Sequence, residues 1–271
     1  MVRVCVFKMG AIGTAVLLEY LLDERAERED LDVRVVTTGA KMREEEAKVA
    51  RFVEKFDPDL VLVVSPNASL PAPKKARELL KDWPTIVVSD APAKKIKGEL
   101  EEQGFGYVIV IADSMIGARR EFLDPTEMAL YNSYVINVLA NTGALRAVQM
   151  ALDGTIDAIK GGKVDLPRVI VDAEKAVEAG GFVNPYAKAK AYAAYTIAER
   201  VAEITVKACF VEKDPERYIP LVCSAHEMMR IASKLAEEAR EIEKGNDTVL
   251  RTPHAKDGRI LRKTALMEKP S

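Results

Sequence analysis

Both histidines of the chain stand in polar clusters near its C-terminus, Cys223-Ser-Ala-His226-Glu227-Met-Met-Arg230 and Arg251-Thr-Pro-His254-Ala-Lys256-Asp257-Gly258. A third cluster, Gly117-Ala-Arg119-Arg120-Glu121-Phe-Leu-Asp124-Pro125, lies mid-chain. Packing asks for none of these runs, because a core position wants an apolar group and a solvated face accepts almost any charge. Arg119 and Arg120 carry planar donor forks that match phosphate or carboxylate oxygens, so with Asp124 they are candidates for an anionic ligand or its tail. Helix-end ion pairs would use the same residues. His226 and Arg230 fall on one face of a predicted helix. They would line a cleft, or His226 would be a buried histidine joining two helices. The 251–258 run reads as a loop that closes over a ligand, or as a contact between subunits.

A second set of polar groups sits where predicted strands end. Gly10-x-x-Gly13-Thr14 follows the first strand and opens a helix, where backbone N–H groups are free for an anion. A tight strand-to-helix turn would need the same glycines. The spacing is neither GxGxxG nor a P-loop, and Thr37-Thr38-Gly39 stands where a ribose-reading acid would be, so ordinary NAD binding is disfavoured. Ser65-Pro66-Asn67 and Ser89-Asp90-Ala-Pro92 offer Asn67 and Asp90 to a ring edge, although Pro-Asn and Asp-Ala-Pro are also common turn chemistry, and Asp113-Ser114 follows a further strand. No Ser–His–Asp order or acidic pair stands out. Two histidines and the scattered Cys5, Cys209 and Cys223 support neither a zinc site nor a disulfide framework.

The elements that must position these groups alternate through the first 112 residues. Short β-branched runs at 2–7, 31–36, 60–64, 85–88 and 106–112 read as parallel strands buried on both faces. Between them, 13–26, 43–56, 73–81 and 94–103 read as helices, which gives an α/β domain with a parallel sheet. Ligands of such sheets bind beyond the C-terminal strand ends, where the polar loops fall. From Asp124 strands nearly vanish. Asp124-Pro125-Thr-Glu127 is a helix start, with the acid as cap and proline in the first turn. That helix is predicted to about Leu152, with a connection over 154–167. Further helices are predicted from Asn184-Pro185 to about Ala208 and from about Pro220 to Lys244. The predicted division is an α/β ligand-binding domain at 1–123, a smaller helical bundle at 124–245, and a C-terminal segment at 246–271 that packs back on the site or on a partner subunit.

A hydrophobic fraction of 48% with 30% charged residues marks a globular chain rather than a disordered one. No apolar run reaches the roughly 20 residues of a spanning helix. The first residues enter a strand without a signal-peptide layout, so the cytoplasm is expected. A net charge of −2 gives no footprint for nucleic acid.

Taken together, Lys8-x-Gly10-x-Ile12-Gly13-Thr14, Leu22-Asp-Glu-Arg-Ala-Glu-Arg-Glu-Asp30, Gly117 to Pro125, Ser224-Ala-His-Glu-Met-Met-Arg230, Val249-Leu-Arg-Thr-Pro-His-Ala-Lys-Asp-Gly258 and the closing Met267-Glu-Lys-Pro270 resemble the archaeal F420-dependent methylenetetrahydromethanopterin dehydrogenases. The resemblance spans nearly the whole chain. It implies an α/β domain joined to a smaller helical bundle and a short C-terminal β-segment. It also implies a homohexamer built as a trimer of dimers, and reversible hydride transfer between coenzyme F420 and the methenyl carbon of tetrahydromethanopterin in methanogenesis-type one-carbon metabolism. On that footing Gly10, Gly13, Thr14, Asn67, Arg119 and Arg120 would meet the coenzyme. Asp124, Glu127, Arg230, Arg251, His254 and Lys256 would meet the pterin. Asp90, Asp113 and His226 would position, with a carboxylate favouring the cationic methenyl ring. The chain departs from the family pattern at Met9 and Ala11 around Gly10, in the 65–71 loop and at Ser89. These departures open two alternatives: another C1-carrier pterin or folate, or a nicotinamide donor, on the same fold. A non-catalytic F420- or pterin-binding paralogue is a third.

Overall fold

Every position of β3 (Leu60–Ser65) and β4 (Thr85–Asp90) is buried in a computed structural model that describes residues 1–114, 119 and 121–271. Alternation along each strand explains why. Leu60, Leu62 and Val64 enter one apolar cluster, while Val61 and Val63 enter another on the opposite face. Each such side chain contributes on the order of 2 kcal/mol when fully buried. With β1 (Val2–Lys8), β2 (Leu31–Thr37), β5 (Gly106–Val110) and β6 (Arg168–Val171) they form a parallel sheet in the order β2-β1-β3-β4-β5-β6. The order reverses at β1, where the chain leaves toward β2 on one side and β3 on the other, so the C-terminal ends of β1 and β3 flank the switch point of the sheet.

The five predicted strands are present and a sixth joins them. Arg168–Val171 pairs with β5 from within the 124–245 segment, so that segment also supplies an edge strand. Its four residues, only one of them fully buried, were too short for a periodic signal. The helices are α1 (Gly13–Leu22), α2 (Pro71–Leu79), α3 (Lys97–Glu102), α4 (Pro125–Thr142), α5 (Ala144–Lys160), α6 (Ala173–Gly180), α7 (Pro185–Val206) and α8 (Pro215–Gly245). Residues 46–56 and 91–96 are 3₁₀ turns, and α7 ends in a π-helical turn at 207–211. One buried cluster runs from a face of the sheet through α1, α4 and α5 into α7 and α8, so the helical part and the sheet share a core. No helix among the described residues is long and apolar enough to cross a membrane.

Two expectations about helix ends need correction. The helix predicted through Leu152 breaks at Gly143, whose φ is +98°. A Cβ there would sit 2.2 Å from the Ala176 carbonyl oxygen and 2.3 Å from the Gly180 nitrogen, so α6 crosses directly over the break. Helix then resumes to Lys160, shortening the predicted connection. Likewise α8 starts at Pro215 rather than near Pro220, because Asp214 accepts the Glu216 N–H at 3.1 Å and Pro215 occupies the first turn. Gly143→Ala combines positive φ with a backbone clash. It is expected to lower unfolding free energy by more than about 2 kcal/mol in chemical denaturation.

Candidate functional site

Asp113 organises the C-terminal edge of the sheet. It follows β5, is fully buried, and accepts the Gly13 N–H at 2.5 Å and the Thr14 N–H at 2.8 Å. It is therefore the cap of α1, supplied from 100 residues away in sequence, and its charge complements the helix N-terminus. Burial raises its affinity for a proton, while Thr14 and the Gly13 N–H hold that rise back. The expected freedom of this turn has a packing reason. A Cβ on Gly13 would meet Asp113 Oδ1 at 2.8 Å and Val135 Cγ1 at 3.0 Å, and one on Gly10, with φ +73°, would meet Met42 Sδ at 2.6 Å. Both glycines admit protein neighbours that lock the turn.

Asp90 closes β4 and is nearly buried, with its oxygen accepting the Ala91 N–H at 2.5 Å. Burial drives its carboxyl well above the usual carboxylate range; the Ala91 N–H opposes this and the neighbouring Asp113 charge adds to it. Beside it the 65–69 loop is stitched from below. Ser89 Oγ donates to the Ser65 carbonyl at 2.7 Å and accepts the Ala68 N–H at 3.1 Å, and buried Arg77 donates to the Ala68 carbonyl at 2.6 Å. Asn67 turns its carbonyl oxygen onto Ser69.

The third wall comes from the helices. Tyr131 on α4 is fully buried with its hydroxyl 3.0 Å from Ser114 Oγ, which ties α4 to the end of β5. The His226 ring on α8 packs at 4.7 Å from both Tyr131 and Phe122, and its Nδ1 lies 3.3 Å from Glu127. Burial lowers the proton affinity of His226 against the opposing pull of Glu127 and Glu227, so its neutral form is favoured at physiological pH. Ser65 Oγ and His226 Nε2, both buried at this edge, have no hydrogen-bond partner among the described residues. An unmatched group of that kind costs about 1–3 kcal/mol, which a polar ligand removes.

The structure therefore brings Gly10, Gly13, Thr14, Asn67, Asp90, Asp113, Glu127 and His226 to one side of the sheet. Tyr131, Ser114 and Phe122 join them unforeseen. Tyr131 shares the helical spacing of its core neighbours, so nothing in sequence separates it from packing. Arg119 donates Nε to the Ala208 carbonyl at 3.1 Å and NH2 to that of Glu212 at 2.5 Å, and stacks 4.0 Å over Tyr218. It fastens the end of α7. Arg120 lies outside the described residues. Asp124 is an exposed cap accepting the Glu127 N–H at 2.8 Å. Arg230 is exposed and pairs with Glu227 at 2.7 Å.

The expected closing loop is elsewhere. Within the chain, Arg251, His254 and Lys256 sit at the far end of α1, about 15 Å of helix from the Asp113-capped turn. His254 is fully buried; Nδ1 meets Glu24 at 2.6 Å, Nε2 meets Asp153 at 2.8 Å, and its N–H donates to Glu24 at 2.7 Å. Asp153 also pairs with Arg28 at 3.2 Å, and Arg28 with Asp30 at 2.8 Å. Arg251 NH1 donates to the Thr264 carbonyl at 2.7 Å, and exposed Lys256 lies 3.8 Å from Glu29. The sequence cluster marks a latch holding the tail, built with acids from residues 24, 30 and 153 that no local spacing reveals. Burial works against a charged His254, but Asp153 and Glu24 outweigh it and raise its pKa above the ordinary 6.5. Its stabilisation is therefore complete below that ordinary value and lost as pH rises through the raised one. Denaturation at about pH 6 and about pH 9 is expected to show this loss, and His254→Gln to flatten it. Equal slopes in the two proteins would contradict the latch.

Residues 2–271 match the family described as methylene-5,6,7,8-tetrahydromethanopterin dehydrogenase. The chain belongs to this family. It is 70% identical over 270 residues to the F420-dependent methylenetetrahydromethanopterin dehydrogenase of Archaeoglobus fulgidus, with 99% of each chain covered. It is 56% identical to the enzyme of that name from Methanobrevibacter smithii, again with 99% of each covered. A solved structure of F420-dependent methylene-tetrahydromethanopterin dehydrogenase in complex with methylene-tetrahydromethanopterin and coenzyme F420 matches with a TM-score of 0.96, at 49% identity and with 100% of both chains covered. Met9 is fully buried in the core, and Ser89 stitches the 65–69 loop.

Proposed function

We propose that this chain catalyses reversible hydride transfer between coenzyme F420 and methenyl-/methylene-tetrahydromethanopterin, holding both at the C-terminal edge of the sheet. The observation that carries the reading is the full-length likeness to a chain solved with both molecules. The unmatched Ser65 and His226 atoms and the proton-hungry Asp90 fit polar heterocycles at the same edge. Reduced F420 supplies the hydride, so no side chain need act as nucleophile or metal ligand.

What the residues do is bind, orient and exclude water. Near-attack alignment of two held reactants contributes several kcal/mol, up to roughly 7–11 in the best cases. Asp113 makes the Gly10–Thr14 turn rigid from below, and Tyr131 and Phe122 hold the neutral His226 ring in place, with Nε2 as the group left to meet a ring edge. Asp90 is the carboxyl best placed to ionise against a cationic pterin. Asn67 and Thr14 would contact the coenzyme. Arg119 would meet an anionic tail through the donors that its two carbonyl bonds leave over. Asp124 and Arg230 would lie toward the pterin entrance, and Arg251, His254 and Lys256 would support a neighbouring subunit from the tail. A cytoplasmic homohexamer belongs to the same proposal; the exposed apolar side chains of Val183, Tyr186, Phe210 and Val211 are ones that subunit contacts would cover.

With purified protein and methenyltetrahydromethanopterin, reduced F420 is expected to be reoxidised and a reduced nicotinamide left untouched. Oxidation of the nicotinamide alone would replace this reading with the donor-switched one.

A further inference from the structure

Four arginines lie near one another far from the sheet edge, with no ion-paired carboxylate among the described residues. A half-open depression of about 30 Å³ lies between the α4–α5 break, the end of α6 and the second half of α8, lined by Asn141, Arg146, Gly180, Gly181, Arg240 and Leu250 among others. Along α8 it is on the order of 20 Å from His226 by helical rise. Arg146 donates NH1 to the Ala179 and Gly180 carbonyls at 2.9 Å, NH2 to the Leu250 carbonyl at 2.6 Å and Nε to Thr252 Oγ1 at 3.3 Å. One NH2 hydrogen remains free. Half-buried Arg240 makes no hydrogen bond or ion pair among the described residues, and neither does the Arg262 side chain. Arg251 stands next to them on the bridged strand pair with Lys263.

These charges push on one another. Burial, with repulsion from Arg240 and Arg262, brings Arg146 down to about 10, and burial with repulsion from Arg251 lowers Arg240 against the weaker pull of Glu241. Glu243 also lines the depression, but its oxygens already accept the Val183 and Asn184 N–H groups, at 3.0 and 2.8 Å, and the Thr248 hydroxyl. Glu241 is paired with Lys244. Like charges brought together and partly desolvated are unfavourable unless an anion joins them.

We propose that this depression binds a small tetrahedral oxyanion, of the inorganic phosphate class, between Arg240 and the free N–H of Arg146, with Arg262 adding positive charge from beyond the lining residues. Guanidinium forks match such oxygens, and the volume admits a small ion rather than an organic ligand. Bound there, the ion links α8, the end of α6 and the C-terminal tail, so its effect is on stability and not on hydride transfer.

The test is calorimetric titration and thermal unfolding of the full chain with inorganic phosphate against chloride at equal ionic strength. Saturable heat and a melting rise specific to phosphate are expected. Arg240→Gln combined with Arg262→Gln should weaken binding at least about tenfold while leaving KM for both substrates unchanged. Equal responses to phosphate and chloride would overturn the proposal, as would unaltered phosphate binding by the double variant. So would a double variant that dissociates into smaller oligomers while the parent ignores phosphate, since the arginines would then meet carboxylates of a second copy.

Discussion

Asp90→Ala is expected to lower kcat/KM for the methenyl pterin by about 10²–10³-fold, the scale on which a single preorganised charge acts in a closed site. In the free protein the Asp90 carboxyl is nearly buried and strongly disposed to keep a proton, with Asp113 close by. A cationic ring at the same edge reverses that preference, so the charge interaction is formed with the cation and lost with the neutral product. That difference between the two ligand states is what makes it useful. Asp90→Asn retains the shape and the acceptor for Ala91 N–H but removes the charge, and should fall nearly as far. Activity should also rise with pH through the raised carboxyl value in the parent, and this acid limb should disappear in Asp90→Asn. Stability should change only by the loss of a turn cap, about 1 kcal/mol in Asp90→Ala. A full kcat/KM with an unchanged pH limb in Asp90→Asn would remove the assignment.

Asp153→Ala is expected to produce the largest loss of stability, about 3–5 kcal/mol, because it strips the shared acid from two buried cations. Arg28 and His254 are both nearly or fully buried and meet on the two oxygens of Asp153. With the acid gone, His254 gives up its proton and, of its two acids, faces only Glu24. The double change Asp153→Asn with His254→Gln should cost less than Asp153→Ala, since it removes one of the buried cations along with the acid. Guanidinium denaturation measures both. A loss below about 1 kcal/mol for Asp153→Ala would mean that the tail is docked by other contacts.

Strands β1, β3, β4 and β5 were legible because their apolar runs are buried on both faces, whereas β2 showed through its β-branched residues although only Leu31 of it is buried. The polar loops followed by the parallel-sheet rule. Helix α4 announced its start through Asp124 and Pro125 but not its end. Gly143 is constrained by the Ala176 and Gly180 backbone, a contact that exists only after folding. The same limit applies to chemistry. Asp90 and Asp113 could be picked out at strand ends, yet nothing near residue 113 says that it caps a helix beginning at Gly13. His254 shows the reverse. Its polar company of arginine, lysine and aspartate suggested a ligand loop or a subunit contact, whereas its partners within the chain, Glu24 and Asp153, are remote in sequence. Local composition identifies a residue that must be paired; only the fold says with what.

The most direct test of the proposed reaction uses reduced F420 with both hydrogens on its hydride-donating carbon replaced by deuterium, incubated with the protein and methenyltetrahydromethanopterin in ordinary water. A cleft that holds both rings together and leaves the transfer to them predicts one deuterium in each methylene product, with none exchanged to solvent. Label lost to water, or product carrying solvent hydrogen at the new C–H bond, would show that a protein group intervenes and would contradict the account.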